Sequence, residues 1–177
     1  GADGITILWD AASGQEIRRF ATPQGSVYSV AFSPDNQRLL TCDDSFSVHL
    51  WDAESGQILH TFTGHTELTW SVTFSPDGQK LLSAGYDSTL RIWDAASGGQ
   101  VLQIDTPFTS SSAVFSPDGH YVFAALDDGS AILYDASTGE QIRTFEGHKL
   151  PIVVVAYSHD GTMVLTAGND KTAYVWD

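Results

Sequence analysis

The chain has 177 residues, 42% of them hydrophobic and 11% aromatic, a balance that excludes disorder. Its 22 acidic and 8 basic side chains leave a formal net charge of −14, which argues against binding a nucleic-acid backbone or an anionic membrane, since both need clustered Lys and Arg. No run approaches the roughly 18 apolar residues of a membrane helix, and the opening Gly1-Ala2-Asp3-Gly4 has no signal-peptide character.

Taken from the N-terminus, the first landmark is Trp9-Asp10. The pair returns at Trp51-Asp52, Trp93-Asp94 and Trp176-Asp177, with Tyr134-Asp135 in the remaining place, at spacings of 42, 42, 41 and 42 residues. A fixed period of this length marks a repeat architecture. Asp-Ala-x-Ser-Gly follows three of the pairs, at Asp10, Asp52 and Asp94, and Asp135 begins a near match. Ser-Pro-Asp recurs at Ser33, Ser75 and Ser116, and Gly-His at Gly64-His65 and Gly147-His148.

The second unit shows how these landmarks map to structure. Trp70 to Phe74 alternates apolar and polar residues, as a half-buried strand does. Ser75-Pro76-Asp77-Gly78 is turn chemistry, with Pro fixing φ and Gly accepting a positive one. Lys80 to Ala84, Leu90 to Trp93 and Val101 to Ile104 follow as further short runs, separated by Tyr86-Asp87-Ser88 and by Asp94 to Gly98. Four short strands per unit predict one four-stranded antiparallel blade, and no helical periodicity interrupts the series.

These residues are similar to those of the WD-repeat β-propeller family, and the similarity runs over the whole chain. The resemblance implies an all-β fold of propeller blades, about four blades' worth, with strand a at the central channel and strand d at the rim. It implies a partial blade over 1–21, containing strand c (about Ile5 to Trp9) and strand d (about Glu16 to Phe20). Blades follow at about 22–63, 64–105 and 106–146, and a last blade over 147–177 without its own strand d. Strand c over 5–9 duplicates that over 172–176, so one is surplus in a simply closed ring. Three arrangements stay open. Two chains pair into an eight-bladed ring by strand exchange, or the chain is part of a longer propeller, or four blades close alone. Thr22-Pro23 and Thr106-Pro107 alternate with the two Gly-His pairs, which favours an even number of blades.

The family ties its blades with a hydrogen-bonded tetrad. The matching positions are His65, Ser83, Asp87 and Trp93 in the second unit, and His148, Thr166, Asp170 and Trp176 in the fourth. A His-Ser-Asp set invites a catalytic reading, but only the structural one explains the Trp, whose buried N–H needs an acceptor. The first unit has Pro23 and Ser45 where His and Asp belong, keeping Thr41 and Trp51; the third has Thr106, Ala124 and Tyr134, keeping Asp128. Looser b–c turns, with faster hydrogen exchange, are expected there.

The family's top face is built from d–a loops, b–c turns and the starts of strand a, and it commonly binds peptides. The corresponding positions are Leu68, Trp70 and Tyr86; Pro151, Val153 and Asn169; Ser26, Tyr28 and Asp44; and Thr109, Ser111 and Asp127. Tyr28, Trp70 and Tyr86 are expected to anchor a protein or peptide, with Asp44 and Asp127 selecting positive charge. The alternative packs Trp70 between blades with Val72 and Phe74. A non-catalytic, protein-binding scaffold is therefore expected, with a homodimer built by strand exchange and no cofactor. The rival is a purely structural, self-assembling propeller fragment. No metal site is expected: the Asp-rich turns lack calcium-loop spacing, and His49, His60, His120 and His159 lack ligand spacing. The single cysteine, Cys42, reads as a small core residue, and its isolation fits a reducing, cytoplasmic setting.

Overall fold

The computed structural model describes residues 1–177, which form seventeen β-strands and no helix. β1 (Ile5–Trp9) and β2 (Glu16–Ala21) pair as a two-stranded sheet. β3 (Val27–Phe32), β4 (Arg38–Asp43), β5 (Val48–Asp52) and β6 (Ile58–Phe62) form blade 1. β7 (Thr69–Phe74), β8 (Lys80–Gly85), β9 (Thr89–Asp94) and β10 (Gln100–Asp105) form blade 2. β11 (Ser110–Phe115), β12 (Tyr121–Leu126), β13 (Ser130–Asp135) and β14 (Gln141–Glu146) form blade 3. β15 (Ile152–Tyr157), β16 (Val164–Gly168) and β17 (Ala173–Trp176) form a last, three-stranded sheet. Every sheet is an antiparallel meander, with each strand bonded to its neighbour in sequence.

The short strands are cut by chemistry that repeats. At the a–b turn of blade 2, the Ser75 hydroxyl donates to Asp77 (2.6 Å) and accepts from the Lys80 N–H (2.9 Å). Gly78 closes that turn with φ of 68°, a left-handed conformation that a side chain would resist. The Asp-Ala-x-Ser-Gly turns cap themselves in the same way, with Asp94 accepting from the N–H and the hydroxyl of Ser97.

The core lies between sheets. One cluster joins Leu40, Val48 and Leu50 of blade 1 to Val72, Phe74 and Trp93 of blade 2. The largest joins Leu82, Leu90 and Ile92 of blade 2 to Phe115, Val122 and Tyr134 of blade 3. A third joins Phe123 and Ala131 of blade 3 to Ile152 and Val155 of the last sheet. Because an internal blade is covered on both faces, its second strand is buried nearly end to end, and Leu81 and Leu82 of blade 2 point into different clusters. The innermost strands β3, β7, β11 and β15 succeed one another side by side.

The two end faces of this stack differ from the internal ones. Val30 is 57% exposed, whereas Val72, at the same place in blade 2, is 4% exposed. Val175 is 64% exposed, whereas Leu50, its counterpart in blade 1, is 1% exposed. These apolar side chains are of the kind that internal interfaces bury.

Every strand a opens with the same irregularity. The pairing jumps between Val27 and Ser29, between Thr69 and Ser71, between Ser110 and Ser112, and between Ile152 and Val154, while the partner strand advances by one residue. The residue left over is Tyr28, Trp70, Ser111 or Val153. A bulge at the mouth of a sheet re-aims the extra side chain, and here it does so at one of the three top-face positions of each blade.

Candidate functional site

The His-containing networks come first, because they set the b–c turns. In blade 2, Trp93 Nε1 donates to Ser83 Oγ (2.9 Å), Ser83 lies 2.8 Å from His65 Nε2, and His65 Nδ1 lies 2.9 Å from Asp87. The proton order follows: Trp N–H to Ser, Ser O–H to His Nε2, His Nδ1–H to carboxylate. Each donor and acceptor is used internally, and Ser83 is fully buried, so its hydroxyl cannot meet a substrate. Burial lowers the pKa of His65 below its ordinary 6.5, against the pull of Asp87. Burial pushes Asp87 upward, but the Thr89 hydroxyl, His65 and the Thr66 N–H outweigh it and hold the carboxyl below 3.8. The last sheet repeats the chain, with Trp176 to Thr166 at 3.0 Å, Thr166 to His148 at 2.9 Å and His148 to Asp170 at 3.0 Å. The Thr172 hydroxyl, the Lys149 N–H and His148 hold Asp170 well below the usual carboxylate range.

Blades 1 and 3 depart as their sequences require, but in unlike ways. Blade 1 keeps Trp51 Nε1 on Thr41 Oγ1 at 2.9 Å. Its b–c turn has an anchor that the motif comparison missed: the buried Asp43 carboxylate lies 3.0 Å from His49 Nε2 and accepts from the Ser45 N–H at 2.9 Å. His49 Nδ1 in turn meets Thr61 Oγ1 at 3.1 Å. An Asp followed two places later by a capping Ser or Thr begins elsewhere at Asp87, Asp128 or Asp170, and begins two places earlier here, at Asp43. In blade 3, Asp128 is capped by the N–H and hydroxyl of Ser130, whereas the buried Tyr134 hydroxyl has no partner, and burial pushes its pKa up to about 12. Cys42 is buried in the core, and its thiol is likewise pushed up to about 12 by burial.

The top-face residues of blades 1 and 2 form one assembly. Tyr28 stacks on Trp70 with ring centroids 5.0 Å apart and planes at 27°. Trp70 stacks on Tyr86 at 5.3 Å and 8°. The three rings make a ladder that crosses from one blade to the next. Trp70 is therefore half-buried, with a tyrosine over each face. Its ring thus meets Tyr28 and Tyr86 and is not part of the cluster that holds Val72 and Phe74. Backbone bonds fix the ladder's far end, where the Tyr86 N–H donates to the Leu68 carbonyl at 2.9 Å.

Carboxylates stand at the two ends. Asp44 accepts from the Tyr28 hydroxyl at 2.5 Å and from the Ser26 N–H at 2.7 Å, and these bonds hold it below the ordinary carboxylate value. The same bond to Asp44 raises the Tyr28 hydroxyl. Gly25, with φ of 61°, lets the d–a loop approach Asp44 so closely that a Cβ there would collide with the carboxylate. Asp127, at the other end, accepts from the Thr109 hydroxyl. Burial, and then the charge of Asp127, raise the Tyr86 hydroxyl.

The remaining expected residues sit apart from the ladder. Ser111 donates to the Ile152 carbonyl at 2.6 Å, tying blade 3 to the last sheet. Val153 is exposed, and the Asn169 N–H donates to the Pro151 carbonyl at 2.9 Å, both on the last sheet. Three exposed apolar residues on the same class of loops were not expected: Phe46, Phe108 and Leu150. Their only signal in the sequence is a large apolar side chain where a turn usually carries a polar one.

Residues 14–52, 56–94, 102–135 and 139–177 match the family model described as "WD domain, G-beta repeat". No curated protein matches the chain.

Proposed function

Because the chain belongs to the WD domain, G-beta repeat family, whose members generally serve as protein-interaction scaffolds, we propose that it binds a cationic peptide or partner loop across the ladder of Tyr28, Trp70 and Tyr86. The observation that carries this reading is the ladder itself, an aromatic surface with Asp44 and Asp127 at its ends on a molecule of net charge −14. Aromatic rings and carboxylates together suit an arginine or lysine side chain. Trp70 acts by holding the two tyrosines parallel. Its loss therefore removes the whole surface. Calorimetry with arginine-rich peptides tests this: Trp70→Ala should weaken binding by about 2 kcal/mol or more. Equal affinity of the variant and the parent would refute the assignment.

A second reading is favoured by the exposed end faces. The face that carries Val30 and Phe32, beside a cleft of about 330 Å³ between β1 and β3, is the counterpart of the one that each internal blade turns toward its predecessor. The face that carries Leu165 and Val175 is the counterpart of the one turned toward a successor. Two copies joined head to tail would cover both and give an eight-bladed ring, with one strand c of each chain displaced. Light scattering over a dilution series decides. A mass of twice 19.1 kDa supports the pairing, and a concentration-independent 19.1 kDa overturns it.

A further inference from the structure

Phe46 stands out in the b–c turn of blade 1. Its φ is 64°, in the left-handed region that bulky L residues avoid. The equivalent turn positions carry Ser88, Gly129 and Lys171, also at positive φ, so the conformation belongs to the turn and the phenylalanine is the misfit. A small or polar residue would sit there with less strain. The ring is not part of the core either: Phe46 is 37% exposed, joins none of the core clusters and stacks on no neighbouring ring. A large apolar side chain held in a disfavoured conformation at the surface points to a role outside the fold.

Its place says which role. Two residues earlier in the same turn, Asp44 receives the Tyr28 hydroxyl. Thr69 Oγ1 donates to the Phe46 carbonyl at 3.1 Å, and Thr69 is the residue before Trp70. The Phe46 N–H also closes back on the Asp43 carbonyl at 3.2 Å, which fixes the turn. Phe46 is thus pinned by its own backbone beside the Asp44 end of the ladder.

We propose that Phe46 is a specificity-determining contact on the top face, taking an apolar side chain of a peptide whose neighbouring cationic residue lies at Asp44 and the ladder. The proposal rests on the top-face reading given above and adds a second requirement to it. The partner carries an apolar residue close to its positive charge, and charge alone does not satisfy the site. The molecule's negative charge favours the cationic half, and the exposed ring favours the apolar half.

The probe is a pool of synthetic peptides in which two arginines flank one leucine through glycine spacers, together with the same pool bearing serine in place of leucine. The parent protein should prefer the leucine pool by about tenfold. Phe46→Asn, which suits positive φ, should erase that preference while leaving arginine-dependent binding in place. Its melting temperature should be equal to the parent's or higher, because the strain is relieved. Phe46→Tyr should keep the preference. A leucine preference that survives in Phe46→Asn overturns the proposal and leaves the ladder reading standing. A lower melting temperature for Phe46→Asn also overturns it, since the ring would then be structural. Absence of arginine-dependent binding in the parent overturns the ladder reading and this proposal together.

Discussion

Blades 2 and 3 pack face to face and share the largest core cluster, yet they fill the four tetrad positions in opposite ways. Blade 2 uses a polar chain from Trp93 through Ser83 and His65 to Asp87. Blade 3 has Tyr134 and Ala124 in the places of Trp93 and Ser83, and its second strand is Val-Phe-Ala-Ala-Leu, fully buried from Val122 to Leu126. Apolar contact on both faces does there what hydrogen bonds do in the neighbour. The tetrad is one way to hold a blade, and filled apolar volume is another. The two differ in what they tolerate. A polar chain fails when one link is lost, because the next donor is left buried without a partner. An apolar layer fails in proportion to the volume removed.

Substitutions separate the two kinds of blade, and the largest effect belongs to Trp93. Trp93→Ala removes both the indole packed on Phe62 and the first link of the chain. It should lower stability by about 3–5 kcal/mol, read from the urea midpoint. Next comes Ser83→Ala, which removes one oxygen yet strands the Trp93 N–H and His65 Nε2; a loss of about 1–3 kcal/mol is expected. A smaller value would mean that water replaces the hydroxyl.

The dependence on pH sharpens the contrast further. The unfolded His65 takes a proton near its ordinary 6.5, while the folded, buried imidazole resists it until lower pH. Its contribution is therefore complete above 6.5 and declines as pH falls through that value, by at most about 1.4 kcal/mol per unit. Asp87 and Asp170, held below 3.8, add a second decline beneath that pH. Thermal melts should show both steps, and His65→Gln should lose the first and weaken the second, since His65 also helps to hold Asp87 below 3.8. A rise in stability on acidification would reverse the sign and refute the assignment.

The smallest effect is in blade 3. Tyr134→Phe removes a buried hydroxyl that has no partner, so it should be neutral or stabilising by up to about 1 kcal/mol. Destabilisation would reveal a hydrogen bond for that hydroxyl. Amide exchange should likewise rank the b–c turns. The turns at Asp87 and Asp170 are expected to be slowest, the turn at Asp43 close behind, and the turn at Asp128 fastest.

Much of this was legible in the sequence, for a physical reason. Strand breaks are set by local chemistry, so the Ser-Pro-Asp-Gly and Asp-Ala-x-Ser-Gly turns gave the strand limits within a residue or two. The two complete tetrads were legible because each of their side chains sits at a fixed offset from Trp-Asp. The anchor of blade 1 was not, since Asp43 and His49 occupy positions that hold Gly85 and Arg91 in blade 2, and only their proximity across two strands makes them a pair. The ladder was half legible. Tyr28, Trp70 and Tyr86 were named singly, but their stacking depends on how neighbouring sheets are set side by side, and no spacing within one repeat encodes that. Phe46 shows in the sequence only as an apolar residue in a turn, because its strain lies in a dihedral angle of the backbone that no spacing encodes.

The ladder also has an optical consequence. An indole held nearly parallel to a phenol at 5.3 Å, with a second phenol on its other face, is a rigid and asymmetric set of chromophores. Rings fixed this close couple their ultraviolet transitions and give strong circular dichroism near 280 nm, whereas freely rotating rings average it away. Any guest that wedges the rings apart or clamps them further changes that band. The molecule thus carries, at the surface where a peptide is proposed to dock, an intrinsic reporter that reads occupancy without a label.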